Sequence, residues 1–326
     1  MSRTNVKLLF SLAVIVVLTV GCGLPTRAPE PTQPPAAAPT LPEALSTPTS
    51  EATQVVHVMK PTAGGTAVAN AHDNEECTNS DQKNVQAGDE FRINRFERPF
   101  TANDMEYLPQ VDIVGMSMTK DADWYYLQIK LCGKNPTTGE LDGIYGAEFD
   151  LDIKGKTQVL VLAQGPLPKE WTQTGVTVYA DLNGDIGGAS SRPDDIYTGN
   201  GYETKVFDAG TGEDPDLAWA HANPDSGIVE IAFKQSVLKD YQKWMWNPLA
   251  SAYPLDPTKF YFNDTISEER AGSPTKGEFY PLKELAGFDN TCRVPANFDA
   301  KGNEPMGCQV STQTDLNFDK GGGYPG

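Results

Sequence analysis

The chain reads as an all-β protein: an antiparallel two-sheet β-sandwich with few short helices, preceded by a signal peptide and a disordered tether. Three observations predict this. From about residue 105 onward, apolar and polar residues alternate with period two in run after run. Clusters of Gly, Pro, Asn and Asp separate the runs, and these residues favour turns. Helical spacing of apolar residues is rare, confined to a candidate short helix at 235–246 and one turn at 281–287, with Pro281 first and Gly287 at the stop.

The N-terminus carries export information. Arg3 and Lys7 precede an apolar run from Leu8 to Val20, broken only by Ser11 and Thr19. The run is short for a membrane span and suits the core of a secretory signal. Gly21 and Cys22 follow it directly. This arrangement resembles the lipobox of bacterial lipoproteins, in which the cysteine is acylated and becomes the first residue of the mature chain. Thr19 departs from the family, which most often has Leu there; Leu18 sits one place early. The resemblance implies a signal peptide at 1–21, a lipid on Cys22, and a domain anchored to the cell membrane on its extracytoplasmic side. An uncleaved signal anchor would leave the domain on the same side.

Residues 22–72 supply the lipid-bearing cysteine and then a Pro/Thr/Ala-rich stretch with almost no bulky apolar residues. Such a segment buries too little surface to offset its chain entropy, and its prolines favour extended conformations. It reads as a tether to a domain at 73–310, and residues 311–326 read as a disordered tail. The chain has five cysteines. With Cys22 given to lipid, Cys77, Cys132, Cys292 and Cys308 remain, an even number in an oxidising compartment. Three pairings are open; Cys77–Cys132 and Cys292–Cys308 are favoured, the first pinning the start of the domain to an early strand. Net charge is −18, and about −20 once the signal is removed, with 24 basic against 44 acidic residues. That balance disfavours nucleic acid and anionic lipid as partners and suits cation binding.

Within the domain, strands are predicted at Val111–Met118, Trp124–Leu131, Ala147–Asp152, Thr157–Leu162, Gly175–Ala180, Glu203–Asp208, Gly227–Phe233 and Lys259–Asn263. Trp124–Leu131 alternates most cleanly, with Tyr125, Leu127, Ile129 and Leu131 on one face and Trp124, Tyr126, Gln128 and Lys130 on the other. Thr157–Leu162 is β-branched or Leu at every position but Gln158, as a central strand would be. The runs Asp112-Ile113-Val114, Asp123–Ile129, Tyr145–Asp152 and Gly175–Tyr179 together resemble the β-sandwich of DOMON domains and family-nine-type carbohydrate-binding modules. The resemblance spans about residues 105–265 and implies a two-sheet sandwich with a sugar or a haem as ligand. Haem-binding members use an axial Met and His; here His221 is the only histidine of the domain, and no spacing selects a Met partner.

Two constellations bear on chemistry. The first is Asp181-Leu182-Asn183-Gly184-Asp185, which follows a strand and puts an oxygen side chain at every second residue. Hard cations such as Ca²⁺ take six to eight oxygens, and Asp181, Asn183 and Asp185, with Asp194 and Asp195 further on, form a candidate calcium loop. It is not an EF-hand: Ile186 stands where that loop needs Gly, and Arg192 where it needs Glu. An Asx-rich turn would have the same composition. The second is the aromatic pair Trp124 and Tyr126, whose flat faces suit stacking on a sugar, with packing beneath a loop as the plainer alternative. Glu148, Asp150 and Asp152 share a strand face, read as a solvated face with a second cation site as the alternative. No Gly-x-Ser-x-Gly, phosphate loop or His-rich zinc motif occurs. The expectation is therefore a binding module and not an enzyme, with a carbohydrate ligand and structural calcium. A polysaccharide hydrolase or lyase working through Glu148 and Asp150, or an envelope assembly protein, are the alternatives.

Overall fold

The computed structural model describes residues 59–62, 64–72, 77, 97–101, 106–186, 199–239, 241–259, 286–291 and 293–304. The expected signal peptide, Cys22, the tether up to residue 58 and the tail at 311–326 lie outside the described residues. So do Asp194, Asp195, Cys292 and Cys308.

In chain order the strands are β1 (Thr66–His72), β2 (Glu97–Arg98), β3 (Ile113–Lys120), β4 (Trp124–Leu131), β5 (Ile144–Asp150), β6 (Val159–Gln164), β7 (Val176–Ala180), β8 (Thr204–Asp208), β9 (Thr211–Gly212), β10 (Ala218–Asn223), β11 (Ile228–Lys234), β12 (Trp244–Ser251), β13 (Phe288–Asn290) and β14 (Val294–Ala296). They make two antiparallel sheets. The first has five strands in the order β1-β3-β4-β11-β10. The second runs β2-β13-β12-β5-β6-β7-β8-β9, with β14 also paired to β12. The predicted all-β sandwich is what the chain forms.

Period-two alternation sends one face of each sheet inward. Tyr125, Leu127, Ile129 and Leu131 of β4 meet Ala147 and Phe149 of β5, and Val159 and Val161 of β6, in one buried core. Aromatic rings join the sheets across it. Tyr125 stands edge-on to Trp244 at 5.1 Å, and Phe149 edge-on to Phe233 at 5.3 Å. Burying each such side chain contributes about 1.5–3 kcal/mol. The β6–β7 hairpin turns through Gly175 at φ +80°, where an added Cβ would lie 2.8 Å from the Gln164 carbonyl.

The structure departs from the sequence reading in four places. The tether was expected to run to residue 72, but 66–72 is β1, paired to β3 from Thr66↔Lys120 to His72↔Gly115. Its small residues hide the signal, since an edge strand packs little more than Val68 and Ala69 against the core. The expected helix at 235–246 is a 3-10 turn over Gln235–Leu238, stopped by Lys239 in the left-handed region, followed by β12. There Trp244 and Trp246 alternate inward with period two. The strand expected at Lys259–Asn263 meets a 3-10 turn at Pro257–Lys259, its remainder lying outside the described residues. Finally, Glu148 and Asp150 do not face solvent; both are buried.

Strand β12 explains that burial. Pro248 lies in mid-strand, where a proline removes a ladder donor. On that side β14 pairs only as far as Trp246↔Val294, and β13 begins at Leu249↔Asn290. The interruption spares the missing N–H, and Arg293, just before β14, pairs with Asp150 of β5. Cys77 and Cys132 are joined as predicted, with Cα atoms 5.7 Å apart.

Candidate functional site

The outer face of the five-stranded sheet carries the expected aromatic pair. Register aligns Thr119, Tyr126, Ala232 and Trp219 in one row across β3, β4, β11 and β10. The next row is Ser117, Gln128, Glu230 and His221. An aromatic row therefore lies directly beside a polar one. Trp124, Tyr126 and Trp219 cluster around the small Ala232, and Trp171 packs on them from the loop between β6 and β7. Its ring is 6.1 Å from Tyr126 and stands edge-on to His221 at 4.2 Å.

The aromatic row is covered. Trp124 and Tyr126 are only 3% and 2% exposed. The segment leading into β1 crosses them: Pro61 is buried, the Trp171 indole N–H donates to the Thr62 carbonyl at 3.3 Å, and the Lys60 ammonium lies 5.6 Å from the Trp219 ring centre. The Tyr126 hydroxyl donates to Asp121 Oδ2 at 2.7 Å and also faces Thr62. Burial, reinforced by Asp121, pushes that phenol up to about 12. The polar row stays half-exposed. His221 Nε2 is 3.9 Å from Glu230 Oε2, and burial raises the Glu230 carboxyl against the lowering effects of His221 and Gln128.

The Asp181 loop is a tight Asx structure. Asp181 Oδ1 accepts from the amides of Asn183 at 3.1 Å and Gly184 at 2.7 Å, and Oδ2 from Ile186 at 3.0 Å. Asn183 Nδ2 donates to Asn200 Oδ1 at 2.6 Å, while the Asn200 amide donates to Asp185 Oδ2 at 3.0 Å. The Lys156 ammonium donates to the Gly184 carbonyl. Three amides take three of the about four acceptor sites of Asp181, leaving one for a cation shared with Asn183 and Asp185 beside it. Among the described residues, no three His, Cys, Asp or Glu side chains are grouped to hold a metal ion.

A third site was not anticipated as such. On the outer face of the second sheet, Glu148 Oε1 lies 2.7 Å from the Tyr202 hydroxyl and 3.2 Å from Thr157 Oγ1, and Oε2 accepts from Asn247 Nδ2 at 3.3 Å. Asp150 Oδ2 pairs with Arg293 Nη1 at 3.1 Å, both side chains buried, and accepts the Gly155 amide at 2.7 Å. Burial raises Asp150, opposed by Arg293 and the Gly155 and Lys154 amides, and burial with the Glu148 charge drives the Tyr202 phenol far above its ordinary value. Sequence could flag the two acids by alternation, but nothing local marks Thr157, Tyr202, Asn247 or Arg293 as their partners. No protein-family model matches this chain, and no curated protein does.

Proposed function

We propose that this chain is an exported, lipid-anchored β-sandwich that binds a carbohydrate on the outer face of its five-stranded sheet, with calcium as a structural ion at Asp181, Asn183 and Asp185. The observation that carries the reading is the half-exposed polar row of Gln128, Glu230 and His221 lying beside the Trp171 ring. Sugars present apolar C–H faces and a rim of hydroxyls, and sites for them combine aromatic rings with a few placed polar groups. Gln128, Glu230 and His221 supply donors and acceptors at the half-exposed edge, beside Trp171. Trp124 and Tyr126 form the floor behind them. The apolar run ending at Gly21-Cys22 supports export and anchoring. Binding is preferred to turnover because Glu148 and Asp150 already engage Tyr202, Thr157, Asn247 and Arg293.

Affinity electrophoresis of the mature chain with Cys22→Ser, through gels containing soluble glucans, xylans, mannans or peptidoglycan fragments, tests this. Retardation by at least one of them is expected, lost in His221→Ala and in Gln128→Ala. Unretarded migration throughout would sink the carbohydrate reading. Release of reducing ends during the run, abolished by Glu148→Gln, would replace it with the hydrolytic one.

A further inference from the structure

Residues 59–62 and 64–65 run along the aromatic face and the edge of β3. Pro61 is buried while its neighbours Lys60 and Thr62 are exposed. The Trp171 indole N–H reaches the Thr62 carbonyl, the Lys60 ammonium lies over Trp219, and the Met59 amide donates to the buried Asp216 carboxylate at 3.2 Å. Behind Thr62 the backbone comes so close to β3 that side chains are shut out. A Cβ on Gly64 would lie 2.3 Å from Thr119 Oγ1, and one on Gly65 would lie 2.3 Å from the Lys120 carbonyl. A buried proline flanked by a cation over one indole and a peptide carbonyl that accepts from another indole N–H is the chemistry by which extended proline-containing peptides are recognised.

We infer that the aromatic face, formed by Trp124, Tyr126, Trp171 and Trp219, is a binding groove for an extended Lys-Pro-Thr type peptide, and that the chain's own Lys60-Pro61-Thr62 is its resident occupant. The same groove accepts such a peptide from another molecule when the resident segment is lifted. Specificity resides in three features: the buried ring of Pro61, the indole donor of Trp171, and a cation one residue before the proline, attracted to the Trp219 face. This inference concerns the aromatic row under the segment, whereas the carbohydrate reading concerns the polar row beside it.

The test is a titration of the synthetic peptide Met59–Gly65 into the mature chain, wild type and Lys60→Ser/Pro61→Ser, followed by tryptophan fluorescence and calorimetry. The loosened chain binds one peptide saturably. Wild type binds at least tenfold more weakly, because its own segment competes at an effective concentration on the order of millimolar. A peptide with Ala in place of Pro61 binds the loosened chain at least tenfold more weakly, as does the unmodified peptide when Trp171→Phe is added to that chain. Pro61→Ala alone replaces the double variant should circular dichroism show it unfolded. No binding to a folded, loosened chain overturns the inference, as does equal binding to wild type or equal binding of the Ala peptide. No glycan enters the titration, so its outcome is independent of the carbohydrate reading.

Discussion

Asp150 and Arg293 are buried together, so removing either alone strands the other's charge away from water. Arg293→Met should destabilise the protein by about 3–5 kcal/mol, while Asp150→Asn with Arg293→Met should recover most of that loss; denaturant unfolding of the two variants beside wild type checks both. Glu230 gives a pH-dependent case. Burial raises its folded pKa above the unfolded value, so the folded state binds the proton more tightly. The penalty of its charge is therefore present at neutral pH and fades as pH falls through the folded pKa. Glu230→Gln should raise the melting temperature at pH 7 and lose that advantage by about pH 4, near the ordinary glutamate value. Melting curves across that range that stay parallel would refute it. At this scale the sequence was legible where a residue's role follows from alternation, as for Tyr125 or Phe149. It was silent on Arg293, whose partner is 143 positions away.

Among elements, β4 was readable because large apolar residues on one face contrast with polar ones on the other, and β12 was hidden because both its faces are buried. A strand buried on both sides loses the alternation that marks it. Strand β1 was missed for the opposite reason: its small residues bury little, and its place comes from the β3 ladder, the disulfide and the glycines before it. The disulfide joins residues 55 positions apart. Chain-entropy arithmetic for such a loop gives about 4 kcal/mol, so Cys77→Ser should lower unfolding free energy by roughly 2–5 kcal/mol. Gly65→Ala should cost about 1–3 kcal/mol, since its Cβ meets main chain that cannot swing aside. A melting temperature unchanged by Gly65→Ala would mean that the segment does not lie close against β3.

At the scale of the whole molecule, the acidic balance and the Asp181 loop make cation binding the property most simply measured. Calorimetric titration of Ca²⁺ into chelator-treated protein should give binding that raises the melting temperature and disappears in Asp185→Ala. A flat titration with unchanged melting leaves the loop as an Asx turn held by its own amides. The fold class was readable from sequence because it depends on many alternating positions at once. The carbohydrate and calcium readings depend on a few side chains each, and only their partners in space decide what those side chains are free to do. The position of the disulfide also has a mechanical meaning. Among the described residues, a pull on the chain from its N-terminal side meets Met59 first, then strips the Lys60–Thr62 segment from the aromatic face and peels β1 from β3. The peel stops at Cys77, where the covalent link to Cys132 takes the load and spares β3 and β4. Under tension, then, this described edge yields before the covalent link does, opening the face that its own chain covers.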